Sequence, residues 1–402
     1  MSHTPATTVT TDGELQDELA GLRRDLHADP EIGLELPRTQ RRVLDALSGL
    51  PLEVSTGRAL SSVTAVLRGG RPGRSVLLRA DMDALPLTEQ ADLPYASRND
   101  GAMHACGHDL HTAALVGAAR VLCARREQLA GDVVFMFQPG EEGCDGAGKM
   151  IEEGVLEAAG AAPVAAYAMH VASAGIPRGL LAGRPGPILA GGDLLKAVLR
   201  GMGGHGSAPH LTRDPLPAAC AVVGALQTLI THTVDPFDSA VLTIGAIHSG
   251  TAGNIIPATA ELEGSLRWFS PQARDALREG FERVCRSIAA AHGVEAETQI
   301  IEAVRATVND ATEADFAAGV ATDLLGATRY LNLPHPLTAG EDFSRILEKV
   351  PGAFVMIGVA PQGVDPATAE ANHSAYAVFD DAFLADSARY LAELATRRLA
   401  LA

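Results

Sequence analysis

Apolar residues recur at helical spacing over 14–29 (Leu15, Leu19, Leu22, Leu26) up to Pro30, and a second helix is predicted over 37–47. Runs over 63–67 and 75–78 read as strands separated by the turn Gly69-Gly70-Arg71-Pro72-Gly73. A polar loop over 92–99 precedes a helix over 110–129, with the stripe Leu110, Ala114, Val116 and Val121. Residues 133–137 are continuously apolar, as in a strand covered on both faces. A short helix over 147–153 then leads to a strand over 164–169. This alternation is that of an α/β domain.

From about Gly191 the pattern changes. Strands over 193–200, 240–247 and 259–268, helices over 214–232 and 271–292, and a further strand give the order βαββαβ, a small ferredoxin-like sandwich. Beyond Ala306 the α/β alternation resumes, with a strand over 353–357 and a closing helix over 381–399. The chain therefore reads as one domain over 1–190 and 306–402, interrupted by a second over 191–305.

Composition narrows the partners. With 402 residues, 47% hydrophobic and 20% charged, the chain is ordinary globular material long enough for two domains. A net charge of −17 argues against nucleic acid or an anionic membrane as the main partner. No apolar run reaches the ~18 residues of a membrane span. The Thr-rich stretch 1–11 lacks the basic head and apolar core of a signal peptide and reads as a frayed tail. Five irregularly spaced cysteines (Cys106, Cys123, Cys144, Cys220, Cys285) fit reduced thiols in a cytoplasm, four of them as small core residues.

The candidate chemistry falls at element ends. Asp81 and Asp83 close one strand, Cys106 and His108 precede a helix, Glu141 and Glu142 follow the buried strand, His170 ends the next, and His373 stands ahead of the last helix. Taken singly, a Cys-x-His or an acidic pair is a cap or a solvated surface. Delivered in succession to strand ends, where ligands gather in open α/β sheets, they read as a metal centre. Cys106, His108, Glu142, His170 and His373 suit two adjacent divalent ions, Zn, Co, Ni or Mn, bridged by the thiolate. Paired ions polarise a carbonyl and lower the pKa of a shared water, and Glu141, beside a ligand carboxylate, is the candidate to take that water's proton. Asp81 and Asp83 read as turn caps or as carboxylates steadying a metal-bound imidazole. His104 and His111 read as structural, and His27, His232, His248, His292 and His335 as ordinary.

Several motifs carry a resemblance: Leu26-His27-Ala28-Asp29-Pro30-Glu31, Arg79-Ala80-Asp81-Met82-Asp83-Ala84-Leu85-Pro86, Cys106-Gly107-His108-Asp109, Gln138-Pro139-Gly140-Glu141-Glu142, Gly203-Gly204-His205-Gly206-Ser207-Ala208-Pro209-His210 and Ala339-Gly340-Glu341-Asp342-Phe343. In this order, over about 27–390, the chain resembles the aminoacylase/carboxypeptidase family of dinuclear metallohydrolases. It comes nearest the branch of hippurate hydrolases and plant auxin-conjugate amidohydrolases. The resemblance implies a phosphorylase/hydrolase-like catalytic domain, with a mixed central sheet flanked by helices, interrupted by an α+β ferredoxin-like dimerisation or lid domain. It implies Cys106 as bridging thiolate, Glu142 and His373 on one ion, His108 and His170 on the other, and Glu141 as general base, with Asp83 among the catalytic residues. Relatives outside this branch carry His where Asp81 stands and a bridging Asp where Cys106 stands. His205 is implied to steady the developing oxyanion in a partner subunit, and Asn254 and Arg267 to hold the substrate carboxylate.

The implied substrate is an N-acyl amino acid, cleaved to a carboxylic acid and a free amino acid by a homodimer or dimer-based oligomer. A dipeptidase or carboxypeptidase on the same scaffold, and a non-catalytic metal or amino-acid binder, are the rivals.

Overall fold

The computed structural model describes residues 12–402, so the tail reading over 1–11 lies outside it. In chain order the elements run α1 (Asp12–His27), α2 (Pro37–Leu47), β1 (Glu53–Thr56), β2 (Val63–Leu67), β3 (Arg71–Asp81), α3 (His108–Ala124), β4 (Ala130–Gln138), α4 (Gly146–Glu152), β5 (Ala165–Ala172), β6 (Leu181–Gly183) and β7 (Gly186–Leu189). Next come β8 (Gly191–Arg200), β9 (Gly204–His205), α5 (Pro215–Thr233), β10 (Ala240–Ser249), β11 (Ile255–Ile256), β12 (Thr259–Trp268), α6 (Pro271–Ala291) and β13 (Glu295–Val304). The chain closes with β14 (Thr307–Asn309), α7 (Ala311–Leu325), β15 (Tyr330–Asn332), α8 (Ser344–Leu347), β16 (Gly352–Gly358) and α9 (Leu384–Leu399). Among the described residues two compact units result: 12–188 with Val308–His335 and Asp342–Ala402, and Leu189–Thr307 with Pro336–Glu341.

The first unit is built on a mixed sheet in the order β1-β2-β4-β3-β5-β16-β6-β15. Its centre, β4-β3-β5-β16, is parallel throughout, so four carboxyl ends open on one edge. Alternate residues Val76, Leu78 and Ala80 of β3, Val133, Phe135 and Phe137 of β4, and Tyr167, Met169 and Val171 of β5 join a single core with α1, α2, α3, α7 and α9. That side-chain period of two sends Arg79, Asp81, Gln138 and His170 to the opposite face. Between β2 and β3 the sequence predicts a turn. The structure instead starts β3 inside that segment at Arg71 and places β4 between the two strands, antiparallel to β2 and parallel to β3.

In the second unit, β10-β12-β8-β13 form an antiparallel sheet. Its core joins Leu195, Ala197 and Leu199 of β8 to Val222 and Leu226 of α5 and Leu277 and Phe281 of α6. Asp214 caps α5 by accepting from Leu216 N at 3.0 Å, and Ser270 caps α6 by accepting from Ala273 N at 3.0 Å. By length and composition α5 is, against the sequence expectation, apolar enough to cross a membrane, yet Ala218, Ala219, Val222 and Leu226 are buried in this core. All five cysteines are free, but only Cys106, Cys123 and Cys285 are buried. Cys144 is half-buried and Cys220 exposed on α5, which corrects the reading of four core thiols.

Candidate metal centre

The site grows from the parallel strand ends. β3 delivers Asp81 and, two residues on, Asp83; β4 runs through a tight turn to Glu141 and Glu142; β5 carries His170; the chain after β16 returns with His373. Cys106 and His108 flank Gly107, whose φ of +83° caps α3 and whose missing Cβ would meet Val171 Cγ2 at 2.3 Å. A side chain there would push the Cys106 loop off β5.

Cys106 Sγ lies 3.4 Å from His170 Nε2 and 3.3 Å from His373 Nε2, and His373 Nε2 lies 3.1 Å from Glu142 Oε1. Two donor groups share the sulfur, Cys106/His108/His170 and Cys106/Glu142/His373, and His108/Glu141/Glu142 forms a third, each within 4.8 Å. The imidazoles are turned for coordination. His108 Nδ1 donates to Asp83 O at 2.8 Å and His170 Nδ1 to Val171 O at 2.7 Å, so Nε2 is the ring atom each leaves for the cluster. His108 Nε2 is buried without a hydrogen-bond partner among the described residues, as a ligand nitrogen awaiting its cation would be. A soft thiolate, three imidazoles and a carboxylate therefore fit a pair of divalent ions.

The electrostatics agree. Burial alone would raise the Cys106 thiol, but His170 and His108 outweigh it and hold the thiol well below its usual range, as a thiolate ligand requires. Hydrogen bonds to Cys106 and Glu142 push His373 up to about 10. His111 is pulled down to about 4, chiefly by burial and then by the neighbouring His170 and His108, against Asp81. Its Nδ1 donates to Asp81 Oδ1 at 2.5 Å and its Nε2 accepts from Val171 N at 2.8 Å. Both ring nitrogens are thus committed, and His111 is structural. Asp81 also binds Arg79 Nη1 at 2.7 Å and stands 3.6 Å from His108 Nε2, so its carboxylate is held by a cation and a histidine.

Asp83 faces the turn that follows β4. Its carboxylate oxygens accept from Glu141 N and Glu142 N, each at 3.0 Å, pinning the turn that carries both glutamates. Gly140, with φ +73°, makes that turn, and a Cβ there would meet Leu34 Cδ2 at 2.5 Å.

His27 is not the ordinary histidine the sequence suggests. Asp109, in the first turn of α3 beside His108, pairs with Arg23 Nε at 2.7 Å and His27 Nδ1 at 2.8 Å, and His27 Nε2 meets Glu89 Oε1 at 3.1 Å. Burial lowers the pKa of His27, but Asp109 and Glu89 outweigh it and raise it above the ordinary 6.5. The folded value exceeds the unfolded one, so this stabilisation is complete below about pH 6.5 and is lost as pH rises through the raised value. His27→Gln should therefore cost about 3 kcal/mol of unfolding free energy near pH 6, with a smaller deficit in alkali, measured by denaturant unfolding across pH.

His205, Asn254 and Arg267 belong to the second unit. His205 pairs with Ile255 across β9 and β11, and its Nδ1 accepts from Ser207 N at 3.1 Å, which leaves the ring proton on exposed Nε2. Asn254 is exposed just ahead of β11, its carbonyl accepting from Gly206 N at 2.8 Å. Arg267 projects from β12 over Gly192 and makes no ion pair among the described residues.

A thiolate and carboxylate cluster of this kind, on adjacent parallel strand ends, is the equipment of a metal-dependent hydrolase. The chain belongs to peptidase family M20/M25/M40, whose model matches residues 77–397. It is 36% identical to the N-acetylcysteine deacetylase of Bacillus subtilis over 385 residues, covering 96% of this chain and 97% of that protein. It is 35% identical to the hippurate hydrolase of Campylobacter jejuni over 386 residues, 96% and 98% of the two chains. The solved structure of a dinuclear metal-binding M20 peptidase from Bacillus subtilis superposes with a TM-score of 0.84 at 34% identity, over 98% of this chain and all of that one.

Proposed function

We propose that the protein is a dinuclear metal-dependent amidohydrolase that cleaves N-acyl amino acids. The observation that carries this is Cys106 Sγ shared between two donor groups, with Glu141 beside them. Cys106, His108 and His170 would hold one ion and Cys106, Glu142 and His373 the other. When bound, such a pair polarises an amide carbonyl and lowers the pKa of a shared water.

The protein's own residues do the rest. Glu141, its backbone held by Asp83, takes a proton from the attacking water and delivers it to the amide nitrogen as the C–N bond breaks. The hydroxyl group ends on the acyl carbon and the amino group leaves as the free amine, carrying the one transferred proton. His205, with its proton on Nε2, supplies a donor to the developing oxyanion in the partner subunit's site, and Asn254 and Arg267 take the substrate carboxylate. Arg267, which has no carboxylate partner of its own among the described residues, suits that task.

Relatives that act on N-acetylcysteine and hippurate favour small N-acetyl and N-benzoyl amino acids. We further infer a homodimer formed through the second unit, whose edge strand β10 exposes Val241 and Ile247, and a cytoplasmic setting for its five unpaired thiols. A panel of N-acetyl and N-benzoyl amino acids against free dipeptides, with Mn, Co or Zn added, tests the reading. Turnover of the acylated amino acids is expected, and turnover of dipeptides alone would replace it with a dipeptidase.

A further inference from the structure

Asn372 precedes a proposed ligand and has no role in the chemistry above, yet it is among the most committed side chains at the centre. Its Nδ2 donates to Val171 O at 3.0 Å and Cys106 O at 3.2 Å, with Cys106 Sγ at 3.9 Å. Its Oδ1 accepts from Ser173 N at 2.9 Å and lies 3.0 Å from Ser173 Oγ, whose single proton is shared with Glu370 O at 2.7 Å. The amide's orientation is fixed by this pattern, because the reverse placement would set its oxygen against two carbonyls and its NH2 against a backbone N–H. An amide is needed here, since a carboxylate would face two carbonyl oxygens and a sulfur with no proton to offer.

The next residue shows what this fastening is for. His373 has φ +71°, a left-handed conformation that a non-glycine residue holds only when its surroundings impose it. His373 N donates to Ala105 O at 2.8 Å, so the strained residue is pinned to the Cys106 loop on one side and, through Asn372, to the end of β5 on the other. Three segments far apart in sequence, each carrying a proposed ligand, meet on one side chain.

We propose that Asn372 is a positioning residue of the metal centre: it sets the spacing of Cys106, His170 and His373 in advance, and so sets metal affinity and coordination geometry. The proposal rests on the ligand assignment above. Outer partners that orient metal ligands are worth about 10–100-fold in affinity.

The test uses full-length protein stripped of metal and titrated with Co²⁺ alone, following thiolate-to-cobalt charge transfer and chelator competition. Asn372→Asp, of equal size, should weaken the tighter thiolate-linked Co²⁺ by about 10–100-fold and shift its visible bands. Ser173→Ala, which removes the hydroxyl that shares its proton between Oδ1 and Glu370 O, should weaken it in the same direction by a smaller factor. Should N372D lower the unfolding midpoint of the metal-free protein, S173A decides: weakened binding at an unchanged midpoint supports the proposal, and wild-type binding overturns it. A wild type with a thiolate band and both variants within twofold of it also overturns the role of Asn372 and leaves the ligand assignment intact. A wild type with no thiolate band overturns the ligand assignment, and this proposal with it.

Discussion

Glu141→Gln will lower kcat for N-acyl amino acid hydrolysis by about a thousandfold while KM and metal content stay close to those of the wild type. Gln fills the same space and keeps the backbone bond from residue 141 to Asp83 Oδ1 at 3.0 Å, so the turn and its neighbour Glu142 remain in place. Only the proton acceptor is lost. Steady-state kinetics with metal analysis of the same sample check this, and a variant within tenfold of wild type that still holds both ions would remove Glu141 from the mechanism.

Cys106→Ser will cost metal before it costs the fold. The sulfur stands 3.4 Å from His170 Nε2 and 3.3 Å from His373 Nε2 and belongs to both donor groups, so its loss weakens both ions together. A serine hydroxyl does not ionise near neutral pH, whereas the thiol here is held well below its usual range. Affinity for at least one ion should fall by about 100-fold or more, read by chelator competition. Far-UV circular dichroism should be unchanged, because the swap is nearly isosteric at a position only 8% exposed. Full retention of both ions would exclude the bridging role.

How much of this was legible in sequence depends on distance along the chain. The apolar runs of β4 and β5 and the periodic helices α1 and α2 announce themselves locally, and the ligand types stand at their ends. Strands β1, β6, β7 and β15, of three or four residues, are too short to show a period, and they were missed. The insertion of β4 between β2 and β3 is a pairing choice made by burial across the sheet, which a local turn signal does not encode. The supporting residues were hidden for the same reason. His27 looks unexceptional until Asp109, 82 positions later, comes within 2.8 Å. Asp83 reads as a strand-end acid until the Glu141 turn settles on it, and Asn372 acquires meaning only where the Cys106 loop and the end of β5 converge. Ligand chemistry is written in residue types, whereas its support is written in contacts.

The central claim, that two ions on these donors drive amide hydrolysis, is tested most directly by titrating metal-stripped protein with Mn²⁺, Co²⁺ or Zn²⁺ while following hydrolysis of an N-acetyl amino acid. Negligible turnover without metal and a rise that levels off at two equivalents per chain are predicted. Hydrolysis that survives complete metal removal, or its absence with every metal at saturation, would contradict the account.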